Sequence, residues 1–156
     1  MPARRPLRPG VSPRSSAVVL GEDTLTRRRR ILGEDHPDTL CSANNLATRL
    51  GELGQHEQAR ALAEDTLTRY RRVLGEDHPD TLRSANNLAI RLGALGEHEQ
   101  ARALDEDTLT RRRRVLGEDH PDTLRSAGNL AIWLAELGEH EQARQLREWI
   151  GARRRR

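Results

Sequence analysis

Between Asp80 and Leu95 the chain reads DTLRSANNLAIRLGAL. At about 100° per residue, Leu82, Ala85, Leu88, Ala89, Leu92 and Leu95 fall within an arc of roughly 140°. That spacing predicts a helix with one buried face. Pro79 stands where a first helical turn tolerates proline, and Asp77, His78 and Asp80 offer cap oxygens or a ring nitrogen beside it. Gly96 follows, where glycine accepts the left-handed conformation that ends a helix. A second helix is predicted from about His98 to Leu116, with Ala101, Leu104, Thr108 or Leu109, and Val115 with Leu116 at helical spacing. Asp107 precedes Arg111 at the i,i+4 spacing, as Asp65 precedes Arg69 and Asp23 precedes Arg27, which adds about 0.2–0.5 kcal/mol per exposed pair. Arg111–Arg114 fill the last turn, where positive charge suits the helix dipole, and Gly117 closes the helix.

The same pattern recurs along the chain. GEDHPDTL begins at Gly33, Gly75 and Gly117, a constant period (75 − 33 = 117 − 75 = 42). NNLA recurs from Asn44 and Asn86, with GNLA from Gly128; HEQAR recurs from His56, His98 and His140, and EDTLTR from Glu22, Glu64 and Glu106. Fixed-period self-similarity of this length means a solenoid or array. Seven helices follow: a lone second-type helix over about Ser15 to Leu32, then pairs at about 37–53 with 56–74, 79–95 with 98–116, and 121–137 with 140–150. The expected organisation is an Arg/Pro-rich disordered arm over 1–14 and a repeat domain over 15–150. That domain divides into a half repeat at 15–32 and repeats at 33–74, 75–116 and 117–150, and an Arg-rich tail occupies 151–156.

Composition narrows the picture. Tyr70, Trp133 and Trp149 are the only aromatic residues, so the core is built from Leu, Ala, Val and Ile, which suits thin helical layers. Every basic residue is Arg, and the net charge of +3 is unevenly spread. Residues 1–32 carry eight Arg against Glu22 and Asp23 (+6), while 33–74, 75–116 and 117–156 carry −2, −1 and 0. A nucleic-acid binder needs a basic stripe along the folded surface; here Arg clusters are followed closely by Glu-Asp pairs. Cys41 is the single cysteine, so there is no intrachain disulfide or thiolate metal cluster, and a reducing, cytoplasmic setting fits. No apolar run reaches the roughly 18 residues of a membrane span. MPARRPLRPGVSP is Arg-rich and acid-poor like a transit peptide, but Pro2, Pro6, Pro9 and Pro13 break the helix that such a peptide uses.

In NNLATRLGELGQHEQARAL, Leu46, Ala47, Leu50, Gly54, His56 and Ala59 resemble the small and large packing positions of the tetratricopeptide repeat. The longer period with HPDTL and NNLA resembles its kinesin light chain subclass, over about residues 15–150. HEAT and armadillo repeats share a similar length, and the glycine turn into HEQA favours the tetratricopeptide reading. The sequence departs from the family in having Leu, His or Ala where aromatics are usual, in GNLA of the last unit, and in the early end of the last helix at Trp149 and Ile150. The resemblance implies an all-α, right-handed α-solenoid of stacked antiparallel helix pairs. It also implies a concave groove, lined by first helices, that holds an extended peptide.

Opposite the core arc of the first helices, Arg83, Asn87, Ile90 and Ala94 share an arc of about 60°. Their equivalents are Cys41, Asn45, Thr48 and Glu52, then Arg125, Asn129, Ile132 and Glu136. The resemblance assigns backbone contact with a bound peptide to Asn45, Asn87 and Asn129; an amide donates to a C=O and accepts from an N–H at once. Arg83 and Arg125 could pair with a carboxylate. Asn45, Thr48, Arg83, Asn87, Ile90, Arg125, Asn129 and Ile132 are therefore the candidate groove residues. The bland alternative is that the asparagines bond neighbouring helices or water.

Other conspicuous residues have structural readings. The six histidines occupy two repeat positions at helix starts, as packing or capping groups, because ligands of one metal would not recur at the repeat period. HExxH is absent, since Arg60 follows His56 at that spacing, the GEDHPD loop lacks calcium-loop spacing, and there is no Gly-rich phosphate loop. No cofactor or metal is expected. Ser42, Ser84 and Ser126 recur like scaffold without an activating base. Trp133, in the column of Arg49 and Arg91, reads either as a ligand anchor or as cover for the last repeat. The Arg quartets read as solvated helix ends and a frayed tail.

The first functional reading is a non-enzymatic scaffold that binds a protein or peptide in its groove. A second is a repeat fragment of a larger bacterial signalling NTPase regulator, acting in sensing or self-association. A third is nucleic-acid binding through Arg27–Arg30, Arg111–Arg114 and Arg153–Arg156, which would weaken steeply with salt.

Overall fold

The computed structural model describes Gly10 and residues 12–156. Seven α-helices occupy them, without strands: α1 (Pro13–Leu32), α2 (Pro37–Glu52), α3 (His56–Leu74), α4 (Pro79–Ala94), α5 (His98–Leu116), α6 (Pro121–Glu136) and α7 (His140–Arg154). Each helix packs against the next, and α2 also meets α4 directly, which no second helix does with another to that extent. The result is an α-solenoid whose first helices, α2, α4 and α6, line one side.

The starts and stops follow from local chemistry. His36, His78 and His120 are N-caps, each ring Nδ1 accepting the backbone N–H of Asp38, Asp80 or Asp122 at 3.1 Å, with proline in the following turn. At the α4 terminus, Gly96 takes φ +79°. Its N–H donates to the Gly93 carbonyl at 3.0 Å, and the Glu97 N–H donates to the Leu92 carbonyl at 2.9 Å. These two bonds form a Schellman ending that only a residue at ease with positive φ completes.

The core forms three adjoining clusters, each on a first helix held between two second helices. They centre on Ala43, Leu46 and Leu50, on Ala85, Leu88, Ala89 and Leu92, and on Ala127, Leu130 and Leu134. Ala59, Ala101 and Ala143 are fully buried where helices cross; a larger side chain there would force them apart.

Three expectations need correction. The helix α7 runs through Arg154, into the stretch expected to be a tail, because the Trp149 ring lies between the guanidinium carbons of Arg113 and Arg153, at 4.6 and 4.1 Å from its centroid. Val115 is 47% exposed instead of in the core: the 19-residue α5 outruns its 16-residue neighbours α4 and α6, leaving its last turn little to pack on. The Arg111–Arg114 quartet is solvated only in part: Arg114 is exposed, but Arg112 is buried and Arg111 and Arg113 are half-buried. The arm at 1–14 lies mostly outside the described residues; of the rest, Ser12 caps α1 and Pro13 and Arg14 begin it.

Candidate partner-binding face

The acidic joints are fully occupied by the protein itself. Arg69 reaches Glu34 at 2.7 Å, Asp35 at 2.8 Å and Asp65 at 2.9 Å, and Arg72 joins Asp35 at 2.6 Å. One unit on, Arg111 holds Glu76, Asp77 and Asp107, and Arg114 joins Asp77. Arg153 closes the series on Glu118 and Asp119. The hydrogen bonds from Arg69 and Arg111 hold the carboxyls of Asp35 and Asp77 below the usual range. The expected Asp23–Arg27 pair is absent among the described ion pairs, whereas Asp65–Arg69 and Asp107–Arg111 form. On α3 and α5, the preceding joint fixes the arginine from its other side.

The junction of the last two repeats carries buried polar chemistry that the sequence reading missed. Asp105 and Arg112 are 0% and 4% exposed. They stand in the columns of Ala63 and Tyr70 (105 − 63 = 112 − 70 = 42). Arg112 donates to the Asp122 carbonyl at 3.0 Å and to Ser126 Oγ at 2.8 Å. Trp133 Nε1 donates to Asp105 Oδ2 at 2.6 Å, while Asp105 Oδ1 has no partner among the described residues. Burial therefore pushes the Asp105 carboxyl up to about 7, against the Trp133 hydrogen bond and the charge of Arg112. The Trp133 ring packs over Gly93, where an added Cβ would fall 2.2 Å from it, and stacks on His98 at 6.1 Å. Trp133 is thus an interior residue of the last repeat, and the ligand-anchor reading is withdrawn. The signal lies in the repeat columns, because Ala63 becomes Asp105 in the repeat 75–116, just before the repeat in which Arg91 becomes Trp133.

What remains open is the arc opposite the core. Asn45, Arg83, Arg125 and Ile132 are exposed, and Thr48, Asn87, Ile90 and Asn129 are half-buried. Thr48 donates its hydroxyl to the Asn44 carbonyl at 3.2 Å. Arg83 and Arg125 fold back onto Asp80 and Asp122. Asn129 is already engaged across the helices, its Nδ2 donating to Asn86 Oδ1 at 2.6 Å. The matching bond from Asn87 to Asn44 is not formed, and buried Asn44 Oδ1 has no partner among the described residues. Asn45 makes only a 3.9 Å approach to Cys41 Sγ. Ile90 packs partly on the α4 core, and Ile132 is 47% exposed. Two free amides and two apolar side chains therefore share one face. Among the described residues, no cluster of His, Cys, Asp or Glu is arranged to hold a metal, and no helix is long and apolar enough to cross a membrane.

The family profile for the tetratricopeptide repeat matches residues 14–38, 39–80, 81–122 and 123–155. The chain belongs to the tetratricopeptide-repeat family. The frame of the match opens at 39, 81 and 123, inside the first turns of α2, α4 and α6. Two crystal structures of a Podosopora anserina protein with nearly identical, kinesin light chain-type TPR-like repeats are 28% identical to this tetratricopeptide-repeat chain. Each covers 90% of it, with TM-scores of 0.80 and 0.78. BtubC (BKLC) from P. vanneervenii shares the fold at 20% identity, with TM-score 0.82 over 90% of the chain. The chain spans 66%, 67% and 56% of the lengths of these structures. No curated protein shows significant similarity to it. Tetratricopeptide repeats of this kind generally serve as protein-interaction scaffolds.

Proposed function

We propose that the chain is a non-enzymatic scaffold that holds an extended peptide or partner segment along the open face of α2, α4 and α6. The observation that carries this reading is the contrast in bonding along the repeat. The capping histidines, the acids of the joints and the arginines that grip them are satisfied within the fold, while the Asn45 and Asn87 amides are left on the face that also carries exposed Ile132 and half-buried Ile90. An amide can bond both polar groups of a peptide unit, and apolar side chains on the same face give a bound segment area to bury.

Nucleic-acid binding through the Arg111–Arg114 quartet is disfavoured by its contacts. Arg111 and Arg114 hold carboxylates, Arg112 is buried, and Arg113 lies over Trp149. Each guanidinium of the quartet is thus already engaged within the protein, with Arg114 alone still exposed.

The test is the triple variant Asn45→Ala, Asn87→Ala and Asn129→Ala, with folding checked by circular dichroism and affinity measured for a partner purified from the native host. An affinity loss of tenfold or more is expected. Unchanged affinity in a folded triple variant overturns the reading.

A further inference from the structure

At the α1 end of the solenoid, two features recur that the interior repeats fill with their own chain. The first is a cleft of about 330 Å³ between α1 and α2, lined among others by Ala17, Leu20, Gly21, Leu46 and Arg49. One unit on, the matching positions on α3 and α4 are Ala59, Leu62, Ala63, Leu88 and Arg91. There α2 covers them: Ala59 and Ala63 are fully buried, and Arg91 lies so close over Gly51 that an added Cβ would fall 1.5 Å from its guanidinium nitrogen. At the cleft, by contrast, Leu20 is 65% exposed.

The second feature is the pair Arg27 and Arg30, which line a neighbouring depression with Asp23 and Thr26. They occupy the columns of Arg69 and Arg72, which grip Asp35 in the turn leading into α2. Arg111 and Arg114 grip Asp77 before α4 in the same way. Among the described residues, Arg27 and Arg30 have no ion pair. The cleft and the arginine pair therefore stand relative to each other as the seats of one continuous element, an acidic turn running into an apolar-faced helix.

We propose that this end docks a partner helix entered by an acidic turn. The helix lays a Leu/Ala stripe into the α1–α2 cleft, a small residue beneath Arg49, and its leading carboxylates onto Arg27 and Arg30. The complementarity is that of the chain's own α2 with α3 and α4, so the chain supplies the template of its ligand. Asn45 lines both this cleft and the open arc. Asn87, Ile90 and Ile132 belong to the arc alone and Arg27 and Arg30 to this end alone, so the arginine variant separates the failure of one reading from the failure of the other.

The probe is a labelled synthetic peptide of the sequence Gly33–Leu53, titrated by fluorescence anisotropy into the full chain. Saturable binding is expected, with amide-shift changes mapping to Ala17, Leu20 and Gly21. The exposed-site variant Arg27→Glu with Arg30→Glu should weaken it at least tenfold, as should a peptide carrying Glu34→Lys and Asp35→Lys. No saturation, equal binding by the double variant, or shifts confined to α3 and α4 would each overturn the proposal. So would concentration-dependent dimerisation that the double variant abolishes while the peptide fails to bind, since a second copy would then be the occupant.

Discussion

The joint between units and the asparagine column of the open arc are both copied without change, yet the fold treats them in opposite ways. In the joint, His78 Nδ1 caps α4, and Glu76 and Asp77 are gripped by Arg111. In the arc, Asn45 bonds no other helix among the described residues, and Ile132 stands half in solvent. Repetition alone therefore marks neither structure nor site. The distinction lies in whether a residue's bonding capacity is already met inside the protein, which is why the eye-catching GEDHPDTL is a hinge between units and the plainer NNLA carries the candidate contacts.

Trp133 breaks the comparison most sharply, because it sits beside the arc but turns inward. Trp133→Ala should cost about 3–5 kcal/mol of stability, from the lost ring and the newly unpaired Asp105. Urea unfolding reads this directly; an unchanged midpoint would return Trp133 to the face. Asp105 gives the next effect. Its folded-state value near 7 lies above an unfolded value of about 3.9, so between those limits the folded chain holds a proton that the unfolded chain lacks. Stability should fall as pH rises from about 4 to about 7, by an amount on the order of a few kcal/mol. Asp35 and Asp77 act with the opposite sign, since their depressed values make a contribution that is lost only as pH falls below about 4. Asp105→Asn should flatten the upper window and leave the acid limb in place, as measured by thermal melts across pH. In the joint, His78→Ala removes an N-cap and should cost roughly 0.5–2 kcal/mol in the same unfolding assay.

Much of this architecture was legible in the sequence. The spacing of Leu82, Ala85, Leu88, Ala89 and Leu92, with Pro79 before and Gly96 after, fixes a helix and its buried side without tertiary information. The exposed arc followed as its complement. Burial of Asp105 and Arg112 was not legible from local pattern, because an aspartate opening DEDT and an arginine among RRRR both read as solvated. Only the partners brought in by α6, Trp133 and Ser126, make those positions interior. The engagement of Asn129 depended similarly on Asn86, which lies on another helix in a column where the last unit has Gly128. The length of α7 depended on Arg113, a residue of α5 that stacks on Trp149.

The smallest expected stability effect is on the arc itself. Asn87→Ala should stay within about 0.5 kcal/mol of the parent in urea unfolding, as half-exposed side chains without internal bonds usually do; a larger loss would make Asn87 part of the scaffold.

Site-specific photo-crosslinking tests the assignment of the binding face most directly. A photoreactive amino acid is placed singly at Ile132 or at Val115, which are equally exposed at 47% but lie on the open arc and on the last turn of a second helix. Each protein is then irradiated in lysate of the native host. Binding along the first helices predicts discrete adducts from Ile132 and none from Val115; adducts from Val115 alone, or the same set from both positions, would contradict it.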